Sequence, residues 1–199
     1  MYRYDLFVSY KREPKDSQLI TPWLSKVLAR IEYWLRQELG GRNVGLFVDM
    51  KNLEAGDAWP DAIREALVSS ACLLPIWSPE YFQSASCVAE WRSFLSREKL
   101  ITDRGQAASK LIVPIKFHDG KWFPPEAARV QQFDLSRFAA TTDGFWETRR
   151  ADELDQMLMR QVAPVLAEAV RGAPPFEPGW PVELGAPRQS PSDVELIRL

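Results

Sequence analysis

The sequence is short of the side chains that bind transition metals and cross-link secreted scaffolds. Its 199 residues hold two cysteines and a single histidine, His118. Cys72 and Cys87 form no CxxC spacing, which argues against a disulfide framework, a zinc site and any histidine-dependent triad. Charge of one sign is lacking too. With 25 basic against 27 acidic residues the net charge is −2, which gives no bulk attraction to nucleic acid or to an anionic membrane. No apolar run approaches the length of a bilayer span, and Met1–Asp5 leads directly into a strand without a secretory signal. The expected setting is therefore cytoplasmic, with both thiols reduced. The glycine cradles GxGxxG and Walker A are missing, as are the GxSxG elbow and HExxH, so none of those devices would hold a nucleotide or run a hydrolysis here.

What is present is an ordinary globular composition, 46% hydrophobic and 26% charged, enough for one domain with a full core and a tail. Tyr4–Tyr10 is a β-branched and aromatic run that predicts a buried strand. Leu24, Val27, Leu28, Ile31, Leu35 and Leu39 recur at three- and four-residue steps and predict a helix. Thr21 is its expected N-cap with Pro22 at the first helical position, and Gly40-Gly41 is its stop. Trp23 and Trp34 read as packing residues. Further strands are expected at Val44–Val48, Ala71–Trp77, Leu111–Phe117 and Gln132–Leu135. Pro75 predicts a bulge or early end in Ala71–Trp77, because proline cannot donate to the ladder.

Helices are expected from Pro60, with Ile63, Ala66 and Leu67 inward, from Ser84–Ser86, and briefly at Pro124–Glu126. A long one should cover Glu153–Val170 and bend at Pro164, with Leu154, Met157, Leu158, Val162, Val165 and Leu166 inward. Alternating strands and helices imply an α/β fold with a five-stranded, mostly parallel sheet. From Gly172 the proline-rich composition predicts a tail or linker, extended rather than packed, so the domain is read as residues 1–171 and the tail as 172–199.

Two stretches draw functional interest. Val44–Leu67 predicts a strand, a polar loop carrying Asp49, Lys51, Glu54 and Asp57, and a helix. Loops that leave the carboxyl ends of strands are where open α/β sheets place ligands. The other is Glu90, in Ser84–Trp91. If Ser86 caps that helix, Glu90 lies in its first turn, where the dipole favours an ionised acid; a merely solvated glutamate is the competing interpretation.

Together these segments resemble a TIR domain. Phe7-Val8-Ser9-Tyr10 is similar to the family's first box. The second strand with Asp49 and Leu53-Glu54-Ala55-Gly56 is similar to its second, and Phe145-Trp146 to its third. Ser84–Trp91 resembles the serine-rich approach to a helix with a Cys/Trp-and-Glu signature, and Ile112–Ile115 the IVPI strand. The likeness covers about Tyr4 to Arg171. It is nearest to bacterial TIR proteins and to the TIR domain of the animal axon-degeneration NADase.

The resemblance implies a flavodoxin-like fold and, in enzymatic members, cleavage of the nicotinamide–ribose bond of NAD+, which is substrate rather than cofactor. The catalytic glutamate falls on Glu90. Substrate binding falls on Ser9, Tyr10, Lys11, Arg12, Asp49, Glu54, Gly56 and Trp59, with no metal. A single carboxylate suffices, because nicotinamide leaves as a neutral molecule and needs no general acid, unlike an ordinary glycoside's leaving group. Partners implied are NAD+, other TIR domains through self-association, and a sensor protein through the tail, as in an assembly-activated bacterial defence effector. The alternative is a non-catalytic adaptor in which the Val44–Leu67 loop is a homotypic contact.

Overall fold

A computed structural model describes residues 1–13, 19–48, 59–106 and 110–183, with the backbone alone for Trp59 and Pro60. The strands are β1 (Tyr4–Tyr10), β2 (Leu46–Val48), β3 (Ser70–Trp77), β4 (Ile115–Lys116) and β5 (Phe133–Asp134), all parallel in the order β2-β1-β3-β4-β5. The helices are α1 (Thr21–Glu38), α2 (Trp59–Ser69), α3 (Pro79–Gln83), α4 (Ala85–Asp103), α5 (Pro125–Ala128), α6 (Arg149–Met157) and α7 (Ala163–Arg171). This is the flavodoxin-like α/β architecture expected from the sequence. All eight residues of β3 are buried, as a central parallel strand covered on both faces requires. Among the described residues no helix is long and apolar enough to cross a membrane.

Several local expectations are corrected. The third strand neither bulges nor ends at Pro75. The bridge Leu73↔Ile112 and the pair Ile76↔Ile115 keep one register, and Pro75 and Pro114 face each other across it. Two prolines at one level drop ladder donors without shifting the strands. β2 starts at Leu46 rather than Val44. Before it, the Asp5 carboxylate accepts from the Gly45 amide at 2.8 Å and from Arg42 Nη2 at 2.6 Å. Glycine suits this place, because a Cβ at position 45 would stand 3.1 Å from the Arg3 carbonyl oxygen and 3.2 Å from Tyr4 Cα, and the backbone would have to give by a few tenths of an ångström to accept it. Gly40 and Gly41, at φ 73° and 84°, end α1 as anticipated. The last helix is interrupted by a π turn, Leu158–Val162, just before Pro164. Proline has no N–H for the carbonyl four residues back, and widening the turn relieves the clash. Val165, expected inward, is exposed.

Thr21 is not the N-cap of α1. The cap position is Ile20, which has no side-chain acceptor, and the role passes to Glu13. Its carboxylate accepts from the amides of Leu19 (3.1 Å), Ile20 (2.8 Å) and Thr21 (3.0 Å). Glu13→Ala is therefore expected to cost about 1 kcal/mol, as for loss of an ordinary N-cap. That is a fall in Tm of roughly 2–4 °C for a chain this size, readable by thermal unfolding.

The chain after Gly172 is packed as far as Glu183, contrary to expectation. Trp180 is 3% exposed and its indole N–H meets the Tyr2 hydroxyl at 3.1 Å. Arg104 pairs with Glu177 at 2.7 Å, and the Glu183 amide donates to Ser93 Oγ at 2.8 Å. The segment thus forms a strap across α4.

A second acid on α4 feeds the entry to β4. Glu98 Oε1 accepts from the Leu111 amide at 2.6 Å. Burial pushes this carboxyl up, opposed by hydrogen bonds from the Leu111 and Ile112 amides. The folded state then holds the proton more tightly than the unfolded chain does. The stability it contributes is complete below the ordinary glutamate pKa of about 4.3 and is lost as pH rises through the raised value. Glu98→Gln should remove that loss, so its denaturation midpoint gains on wild type as pH rises from about 4. A pH-independent difference would contradict the assignment.

Candidate active site

The site is built where β1 ends. Alternation along this buried strand turns Ser9 to the face opposite Val8 and Tyr10, and α4 packs there. Ser9 is 1% exposed, and its hydroxyl donates to Glu90 Oε2 at 2.6 Å. Glu90 is itself 3% exposed. A short bond from a hydroxyl to a carboxylate is a strong one, and low polarity around it strengthens it further.

Two expectations about Glu90 change. The cap of α4 is Ser84, which accepts from the Cys87 amide at 3.4 Å, so Ser86 is already inside the helix. Glu90 therefore sits in the second turn, beyond the reach of the terminal dipole, which falls off within the first. Nor is it a solvated surface acid. Its carboxylate faces the sheet and is positioned by a side chain 81 residues away.

A third residue, unforeseen from sequence, completes the cluster. Tyr81 on α3 is fully buried; its hydroxyl lies 3.0 Å from Ser9 Oγ and donates to the Cys87 carbonyl at 3.0 Å. The signal for it was Ser78-Pro79. Serine followed by proline is a helix-start signature, and Ser78 does cap α3, accepting from the Tyr81 amide at 3.2 Å. One turn of helix then aims Tyr81 inward.

The other anticipated residues are distributed unevenly. Tyr10 is buried, Arg12 half-buried and Lys11 exposed, all at the carboxyl end of β1. Asp49, Glu54 and Gly56 lie outside the described residues. Trp59 is the first residue of α2, its side chain likewise outside them. The structure thus brings Ser9 and Glu90 together, with Tyr10 next to Ser9 in the chain.

Next to Tyr81, whose ring meets Phe82 edge-on at 5.3 Å, the packing is aromatic. Trp77 meets Trp91 edge-on at 5.6 Å, and Phe82 contacts both rings. Trp23 is core, its indole N–H bonded to the Phe138 carbonyl at 2.8 Å. Phe145 is buried, and Trp146 lies under the Arg30 guanidinium at 4.5 Å.

Two cavities lie elsewhere. One of about 440 Å³ beside β2 is lined by Arg3, Glu32 and Val44 among others; one of about 470 Å³ beyond β4 and β5 is lined by Phe117, His118 and Arg137 among others. Among the described residues no three His, Cys, Asp or Glu side chains form a metal-binding group.

A family model described as a TIR domain matches residues 6–154. Among solved structures, the chain is similar to the TIR domain of the Toll-related receptor TRR-2 from Hydra magnipapillata. That match has 17% identity and a TM-score of 0.46, over 78% of this chain and 98% of that one. It is also similar to the TIR domains of the activated Roq1 resistosome that recognises the pathogen effector XopQ, with 16% identity and a TM-score of 0.35 over 84% of each chain. Comparison with curated protein sequences returns no match.

Proposed function

The chain belongs to the TIR domain family, and from that premise we propose that it is an NAD+ glycohydrolase in which Glu90 is the acid at the reacting centre. The observation that carries the proposal is the Glu90 carboxylate, 3% exposed and held at 2.6 Å by Ser9 at the carboxyl end of β1. Burying an acid costs folding free energy, and acids kept at that cost cluster at functional sites, here at the end of a parallel sheet where such folds bind ligands.

Breaking the nicotinamide–ribose bond moves positive charge from the pyridinium ring onto the ribose. A fixed carboxylate beside the ribose stabilises that developing oxocarbenium more than the ground state, which is the condition for acceleration. Nicotinamide departs neutral, so no general acid is needed; water then adds to the ribosyl cation and gives up its proton to Glu90 or to solvent. Lys11 and Arg12 at the end of the same strand supply cations for a pyrophosphate, and Tyr10 is a candidate contact by its place at that strand end. Asp49, Glu54, Gly56 and Trp59 are the remaining candidate contacts.

The activity is proposed to depend on self-association, which would complete the site from a neighbouring copy, in a cytoplasmic defence effector addressed by a sensor protein. The test is direct. Concentrated full-length protein, alone and under conditions that drive assembly, is incubated with NAD+ and nicotinamide release is followed by chromatography. Release is the expected result. None in any assembled state would leave the TIR adaptor, acting by homotypic contact, as the function.

A further inference from the structure

We propose that Tyr81, acting through Ser9, is a positioning residue for the Glu90 carboxylate. The inference rests on the assignment of Glu90 to the reacting centre and extends it to a residue on a different element. The observation is a buried string of oxygens. Glu90 Oε2 is 2.6 Å from Ser9 Oγ, Ser9 Oγ is 3.0 Å from the Tyr81 hydroxyl, and that hydroxyl is 3.0 Å from the Cys87 carbonyl.

Proton counting gives the string a direction. An ionised carboxylate is an acceptor only, so the single Ser9 proton goes to Glu90. The Ser9 oxygen is then an acceptor, with the Tyr81 hydroxyl within donating distance. Tyr81 also has one proton, shared between Ser9 Oγ and the Cys87 carbonyl. Whenever it donates to Ser9 it polarises the serine hydroxyl and strengthens the bond onto Glu90.

Packing makes the string rigid. Tyr81 is fully buried, its ring edge-on to Phe82 at 5.3 Å, and α3 carries a serine cap. The chain of bonds ties β1, α3 and α4 together, so the carboxylate is oriented against the sheet rather than against its own helix alone. Orientation of this kind is what a charged transition state needs from its supporting side chains.

The experiment compares wild type, Tyr81→Phe, Ser9→Ala, Ser9→Thr and Glu90→Gln in full-length protein, each checked for a cooperative unfolding transition. The first readout is the carboxylate stretch of Glu90 in protein labelled with ¹³C-carboxyl glutamate, identified as the band that vanishes in Glu90→Gln. Tyr81→Phe is expected to move that band part of the way to its Ser9→Ala position, and Ser9→Thr, which keeps the hydroxyl, to leave it near wild type. The second readout is NAD+ turnover, where Tyr81→Phe should lower kcat about tenfold with KM within about twofold. Site-specific fluorotyrosine at position 81, a stronger donor of unchanged shape, should move the band the opposite way and decides the matter if Tyr81→Phe fails to fold. A band unmoved by both changes at Tyr81 overturns the inference. Absence of turnover in wild type overturns the enzymatic assignment alone, because the infrared arm needs no substrate.

Discussion

Glu90→Gln is expected to cut nicotinamide release from NAD+ by roughly a hundred- to a thousandfold, in line with removing one preorganised electrostatic group. A unit charge about 4 Å from a developing cation is worth about 4 kcal/mol at an effective dielectric of about 20. Part of that already acts on the cationic ground state, so the rate effect lies below the thousandfold which 4 kcal/mol would give. Glutamine keeps an oxygen for the Ser9 hydroxyl and nearly the same volume, which isolates the charge. Its amide hydrogens need an acceptor in a buried place, at a cost of about 1–3 kcal/mol. Stability must therefore be measured beside turnover. A folded Glu90→Gln protein turning over within tenfold of wild type would remove Glu90 from the chemistry.

The second large effect is structural. Arg97→Leu is expected to lower stability by about 3 kcal/mol or more, a Tm drop on the order of 10 °C. Arg97 is fully buried and donates from Nη1 to the Ser70 carbonyl at 2.8 Å and from Nη2 to the Leu67 carbonyl at 2.9 Å. The Leu67 carbonyl lies in the last turn of α2 and the Ser70 carbonyl just past its end, where the helix dipole favours a cation. The guanidinium also stacks on Phe94 at 4.3 Å and under Trp180 at 5.1 Å, and burial pulls its pKa down to about 10. Leucine fills much of the volume but leaves two carbonyls unpaired and the Trp180 ring without its platform. Lysine cannot span both carbonyls, so Arg97→Lys should recover less than half the loss. A Tm within about 2 °C of wild type in Arg97→Leu would show that water or a local shift satisfies those carbonyls at little cost.

Much of the frame was legible because it rests on local patterning. The β-branched and aromatic run of Tyr4–Tyr10 and the periodicity from Leu24 to Leu35 reproduce β1 and the buried face of α1. What escaped depends on partners far along the chain. The cap of α1 comes from Glu13, beyond the usual capping position, and no spacing rule reaches it. Glu90 stood out by residue type and family resemblance, whereas its partner Ser9 and the neighbouring Tyr81 meet it only once β1, α3 and α4 are packed. Proline content made the segment after Gly172 read as unpacked. Trp180 was the contrary signal: one large aromatic there finds a buried seat and draws the chain with it.

The facing prolines in β3 and β4 have a mechanical consequence. Pro75 has no amide to offer β4, and Pro114, whose carbonyl accepts from Phe133 at 2.9 Å, has none to offer β5. One rung is therefore missing on each side of β4, while β1 and β3 pair along almost their whole length. The sheet is stitched firmly on the half that carries Ser9 and loosely on the other. Thermal opening should then begin as a flap at β4–β5 and leave the Ser9–Glu90 seam closed until the whole domain gives way.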